Sequence, residues 1–152
     1  MQLVSFSHSY GQCMCQIVIV TYRRRRVFGI PGMKEHMERV FSRLFEQKKF
    51  VVRTLKVKPD HVHIYMGVPP TLSISQLFQT LKGLSAYMLF KELPGLREHL
   101  GGRLWSRGKM FESVGAVTED IMIHYIENQW CKIPHPFRVG SASFFISFKR
   151  VK

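Results

Sequence analysis

Residues 50–68 read FVVRTLKVKPDHVHIYMGV. Two β-branched runs flank Pro59-Asp60, a dipeptide that favours a turn. Strands joined by so short a link pair as a hairpin and are antiparallel. Side chains alternate along a strand, so Val62, Ile64, Met66 and Val68 fall on one face of the second run. That face is apolar and reads as core. His61 and His63 share the opposite face. In the first run, basic residues are interleaved with apolar ones.

Helices are expected on either side of this hairpin. Met33, Met37, Val40, Phe41, Leu44 and Phe45 recur at helical spacing, which predicts a helix over 33–48. Downstream, Pro69-Pro70 stops the strand and Ser73-x-x-Gln76 forms a capping box. Ile74, Leu77, Phe78, Leu81, Leu84 and Met88 then carry a second helix to about Glu92. Further out, CMCQIVIVTY (13–22) reads as a buried strand, and 110–114 as a short one, with 104–106 another short candidate. Residues 1–11 read as polar and irregular, and 94–102 as a loop bounded by Pro94-Gly95 and Gly101-Gly102. Thr118 to Trp130 is a last helix. The order is βαββαβ plus a C-terminal helix. This is an α/β (α+β) chain with a ferredoxin-like or RRM-like antiparallel sheet and helices on both faces. No repeat or linker divides it, so residues 1–130 form one domain and 131–152 a tail rich in Pro, Ser and Phe.

The chain has 152 residues, 45% hydrophobic and 22% charged, the composition of one globular domain. Its longest aliphatic run, Ile17 to Val20, is far too short to span a membrane. MQLVSFSHSYGQ shows no secretory signal. Three cysteines, Cys13, Cys15 and Cys131, argue against a disulfide framework and for a reducing, cytoplasmic setting. Cys13-x-Cys15 has no partner pair at zinc-site spacing. Lys and Arg total 23 against 10 Asp and Glu, a net charge of +13. Such a field attracts polyanions, nucleic acid before membrane. Arg23, Arg24, Arg25, Lys82 and Arg107 are among the residues expected to meet nucleic acid, with Tyr22 and Trp105 near enough in sequence to stack on bases.

Two side-by-side imidazoles, His61 and His63, suit a divalent metal. The plainer alternative is two neighbouring surface histidines. Tyr125 and Gln129 are i and i+4 on the last helix, one above the other. They occupy a different face from its apolar stripe of Met122, Ile126 and Trp130. A hydroxyl there can be a nucleophile and an amide can be a ligand, although an ordinary boundary tyrosine has the same pattern. No Walker A loop, nucleophile elbow or RNP aromatic signature is present.

The segments QIVIVTYRRRRVF, PDHVHIYMGVPP, LKGLSAYMLFKE, LWSRG and SVGAVTEDIMIHYIENQ run in order from about Cys13 to Gln129. In these the chain resembles the HUH-type single-strand DNA transposases with one catalytic tyrosine, the TnpA-like transposases of minimal insertion sequences. The resemblance implies that His61, His63 and Gln129 hold Mg²⁺ or Mn²⁺ and that Tyr125 is the nucleophile. It implies cleavage and rejoining of single-stranded DNA at hairpin-bearing ends through a 5′-phosphotyrosine. It also implies a homodimer whose active sites are shared in trans. Two other readings remain at this level. One is a non-catalytic RRM-like nucleic-acid-binding module. The other is a domesticated or Rep-like HUH nickase.

Overall fold

The computed structural model describes residues 4–6, 9–11 and 13–114. The expected C-terminal helix and the tail, with Tyr125 and Gln129, lie outside the described residues. Two short strands, β1 (Val4–Phe6) and β2 (Ser9–Gly11), pair antiparallel near the N-terminus. They occupy a stretch whose polar sequence suggested no regular structure, because strands of three residues carry too little alternation to read. The main body follows as β3 (Met14–Val20), α1 (Met33–Lys48), β4 (Val52–Lys58), β5 (His61–Gly67), α2 (Ile74–Glu92), α3 (Pro94–His99) and β6 (Met110–Val114). The short helix α3 replaces the expected loop. Pro94 stands in its first turn, where a missing N–H costs nothing.

Strands β4-β5-β3-β6 form one sheet in that order, and every pairing is antiparallel. The first strand of the βαββαβ unit therefore lies inside the sheet, between the third and fourth, which is the ferredoxin-like arrangement. Helices α1 and α2 pack on each other, and their apolar sides share one core with Ile17, Ile19, Val62, Ile64 and Met66. All five of these strand residues are 0% exposed. The pleat of β5 thus divides its residues as the alternation predicts, with the apolar row beneath the helices and the histidine row on the other side of the sheet.

Local signals set the element ends. Ser73 Oγ accepts from Gln76 N at 3.1 Å, and Gln76 Oε1 accepts from Ser73 N at 2.9 Å, so both halves of the capping box are present. Within α2 the buried stripe runs Leu77, Phe78, Leu81, Ser85, Leu89. Ser85 is polar, and the Trp105 indole N–H satisfies it at 2.9 Å. Trp105 also stacks obliquely on Phe28 and Phe41, which ties the loop before β6 to the core.

Shortening Ile64 to Ala should destabilise the fold by about 3 kcal/mol, through lost burial and the cavity left behind. Ser73→Ala should cost only about 1 kcal/mol, one helix cap. Urea denaturation of the two variants checks both the order and the gap.

Candidate active site

Strand β5 presents His61 and His63 on the sheet face away from α1 and α2. Neither is a surface histidine: His61 is 4% exposed and His63 is 0%. The register sets His63 opposite Val18 and His61 opposite Val20 on β3, and opposite Lys56 and Lys58 on β4. The two Nε2 atoms face each other at 3.1 Å, with the rings 4.9 Å apart and steeply inclined.

The outer nitrogens are also engaged. His61 Nδ1 lies 2.5 Å from Asp60 Oδ1, and Gln16 Nε2 lies 3.4 Å from His63 Nδ1. One tautomer set satisfies the whole row. Gln16 donates to His63 Nδ1, His63 Nε2–H donates to His61 Nε2, and His61 Nδ1–H donates to Asp60. Burial, then the charges of His61 and Lys58, hold His63 down at about 3, so it is neutral at physiological pH. Burial alone would raise the Asp60 carboxyl. The hydrogen bonds and charges of His61 and Arg24 outweigh it and keep Asp60 below the usual carboxylate range.

This donor set fits a divalent cation. The two Nε2 atoms converge, and a carboxylate on the far nitrogen of His61 is the usual support for a ligating imidazole. Neutral imidazole is the ligating form, and to ligate through Nε2 His63 would carry its proton on Nδ1, with the Gln16 amide turned so that its oxygen accepts. The described residues supply two nitrogens only, and no group of three or more His, Cys, Asp and Glu that could hold a metal occurs among them.

The end of β3 brings the arginine run to the same corner. Thr21 N and its hydroxyl both donate to the Asp60 carbonyl, at 2.9 and 3.0 Å, and the hydroxyl also reaches the Arg25 carbonyl at 2.7 Å. Arg23 and Arg24 both adopt φ 55°, a left-handed conformation that costs a residue with a Cβ roughly 1–2 kcal/mol. The turn splits the run. Arg24 bonds Asp60 Oδ2 through Nε at 3.1 Å and Nη2 at 2.9 Å. Arg23 and Arg25 instead lie over the Tyr22 ring, 5.3 and 5.9 Å from its centroid, together with Arg103 at 5.4 Å. A hydrogen bond from Arg103, then the charge of Arg23, lowers the Tyr22 phenol from its ordinary value. Three guanidinium groups around one aromatic ring form a cationic cluster suited to phosphate and base.

Lys82 and Arg107 part company. Arg107 is exposed. Lys82 is half-buried, donates to the Ser106 carbonyl at 2.9 Å and to that of Gly108, and lies over Phe78. It clamps the loop before β6 to α2, and Lys109 adds a bond to Ser75 at 2.9 Å. Burial, then Lys109, brings Lys82 down to about 8.

Among the sequence-predicted residues, then, the structure brings together His61, His63 and the start of the arginine run. Tyr125 and Gln129 lie outside the described residues. Of the other tyrosines, Tyr65 shares the histidine face but is 0% exposed, and Tyr87 stands 62% exposed on α2. Sequence reasoning missed Gln16 and the carboxylate role of Asp60. Each left a trace: Gln16 is the one amide in CMCQIVIVTY, and Asp60 sits directly before His61.

Comparisons with known proteins identify the family. The profile of the family described as "Transposase IS200 like" matches residues 9–129. The transposase of insertion sequence IS200 from Salmonella typhimurium is 27% identical over 141 residues, covering 87% of this chain and 91% of that protein. The ISDra2 transposase TnpA of Deinococcus radiodurans is 33% identical over 113 residues, 72% of this chain and 78% of its own. A crystal structure of a Deinococcus radiodurans protein described as a transposase superposes with a TM-score of 0.65 at 26% identity, over 83% of this chain and 97% of that one. A REP-associated tyrosine transposase, solved with a REP hairpin, shares the fold at a TM-score of 0.55 and 12% identity, covering 81% of this chain and 70% of its own. The chain belongs to the IS200-like transposase family and is a DNA-processing enzyme of insertion-sequence transposition. No helix among the described residues is long and apolar enough to cross a membrane.

The lowered Lys82 gives a signed pH effect. Between pH 8 and 10.5 the unfolded chain holds a proton on this amine that the folded chain has lost. Stability relative to Lys82→Met should therefore rise across that window and fall back as pH drops to 8. Urea midpoints of the two proteins, measured through that range, test it.

Proposed function

We propose that the protein cleaves and rejoins single-stranded DNA at the ends of an insertion sequence, with Tyr125 as nucleophile and His61, His63 and Gln129 as the metal-binding set. The observation that carries the reading is the buried pair of Nε2 atoms, converging at 3.1 Å in a chain of the IS200-like family. The burial of both histidines supports it too. A fold needing only packing at this position would hold apolar side chains there, because buried imidazoles need partners for every ring nitrogen.

The chemistry balances without a nucleotide. The Tyr125 hydroxyl loses its proton and its oxygen attacks the scissile phosphorus in line. The bond from phosphorus to the 3′ oxygen breaks, and that oxygen leaves as a 3′ hydroxyl after taking up a proton. The 5′ phosphate stays on Tyr125 as a phosphodiester. Rejoining is the reverse attack by a 3′ hydroxyl, so the bond energy is conserved. Mg²⁺ or Mn²⁺ at the site would supply Lewis acidity for the phosphoryl oxygen and the leaving group. Asp60 and Gln16 hold the imidazoles in orientation. Arg23, Arg25 and Arg103 around Tyr22 offer charge and a ring to the strand entering the site, and Arg107 adds an exposed cation. A DNA hairpin is the substrate feature we infer, in keeping with the hairpin bound by the REP-associated relative.

Incubation with hairpin-bearing single-stranded DNA and Mn²⁺ should give a covalent adduct that survives denaturation. The adduct should vanish in Tyr125→Phe, His61→Ala and His63→Ala, and in EDTA, while hairpin binding persists. Gln129→Ala should be milder, since two imidazoles remain. An adduct formed by Tyr125→Phe would move the nucleophile elsewhere.

We also infer a homodimer in which Tyr125 of one subunit serves the histidine pair of the other. The link from Ser113 to Thr118 contains Gly115-Ala116, small enough to let the helix leave its own subunit. Co-expressing a Tyr125→Phe chain with a His61→Ala/His63→Ala chain tests this. Trans sites leave one intact site in the mixed dimer, which should cleave although both parents are inert. Cis sites leave none, and an assembled but silent mixed dimer would overturn the arrangement.

A further inference from the structure

We propose that Arg24 is a positioning residue for the histidine pair and not, like its neighbours, a DNA contact. The inference rests on the reading of His61 and His63 as cation ligands. Its starting point is the way one carboxylate is divided. Asp60 gives Oδ1 to His61 Nδ1 and Oδ2 to Arg24, which reaches it through both Nε and Nη2. Arg24 thus fixes the rotation of the carboxylate. With Oδ2 occupied, Oδ1 is presented to the imidazole, Nδ1 keeps the proton, and the Nε2 lone pair points at His63.

Exposure falls along this path, from 45% for the Arg24 side chain to 19% for Asp60 and 5% for His61. The guanidinium is therefore the solvent end of a chain that ends in a buried site. An exposed ion pair alone contributes little to stability. The backbone here nevertheless holds two consecutive non-glycine residues at φ 55° to bring Arg24 back over the hairpin tip. Thr21 fastens both sides of that turn, through the carbonyls of Arg25 and Asp60. Arg23 and Arg25, on either side, go to Tyr22 instead. The run of arginines therefore has two jobs, and position 24 supplies the inward one.

The test compares Arg24→Gln, Arg24→Lys and Arg23→Gln in the full-length protein. Long-range ¹H–¹⁵N spectra of the histidine rings without metal, at about pH 8 where free imidazole is neutral, report the tautomer of His61. Wild type should show the Nδ1–H form, Arg24→Gln a mixture of tautomers, and Arg24→Lys an intermediate spectrum. Mn²⁺ affinity by electron paramagnetic resonance should fall about tenfold or more in Arg24→Gln, the usual size for losing a support of a ligating histidine. Arg23→Gln should leave the tautomer and Mn²⁺ affinity unchanged. It should instead reduce the salt slope of single-strand binding by about 0.7, one phosphate contact. A folded Arg24→Gln with wild-type tautomer would overturn the proposal, and so would one whose only change is the salt slope. Wild type that binds no Mn²⁺ through the histidines would refute the metal reading. The tautomer comparison would still decide the role of Arg24.

Discussion

The antiparallel pairing of β3 with β5 is the constraint on which the rest of the molecule depends. It is the central contact of the sheet, and its register fixes which side chains share a face. Ile17 stands opposite Ile64 and Ile19 opposite Val62, which places four branched aliphatics beneath α1 and α2. The same register sets Val18 by His63, Val20 by His61 and Gln16 by Tyr65. A slip of one residue would turn the histidines into the helix core and the aliphatics out of it. The hydrophobic effect on one face therefore holds the polar row on the other. The histidine pair sits on one of the two central strands of the sheet.

The corner where β3 ends shows how a site is joined to a binding surface. Thr21 is 0% exposed and bonds the hairpin tip through both its backbone and its hydroxyl. The chain then makes a tight left-handed turn that no glycine eases. Such strain persists only where surrounding contacts over-determine the conformation, and here they come from Asp60, Tyr22 and the loop at Leu104. Leu104 accepts from Tyr22 N at 2.8 Å, and Ser106 N donates to Val20 at 2.9 Å. The loop before β6 is itself clamped to α2 by Lys82. Cationic groups far apart in sequence, Arg23, Arg25 and Arg103, are gathered in this way around one ring.

The length and type of the main elements were legible in the sequence because each carries its own period. The apolar stripe of α1, the capping box of α2 and the alternation of β5 are local facts, and tertiary packing agrees with all of them. Same-face placement of His61 and His63 follows from the pleat alone. What alternation could not supply was their depth, or the orientation of their rings. The rings are engaged by Gln16, 47 residues from His63, and by Asp60, whose carboxylate is shared between His61 and Arg24. The three-residue strands β1 and β2 and the six-residue helix α3 are too short to leave a periodic trace.

Basic residues show the limit most clearly. By sequence, Arg23, Arg24, Arg25 and Lys82 are alike, cations available to a polyanion. Folding assigns them differently: Arg24 to a carboxylate, Lys82 to two carbonyls, and Arg23 and Arg25 to an aromatic ring. The sequence by itself determined the βαββαβ order, the face of the histidine pair and the sign of the field, since these are set by alternation, helical period and net charge. Only the tertiary structure decided which cation meets which partner. A long charged side chain has no preferred neighbour until the backbone has brought its partners within reach.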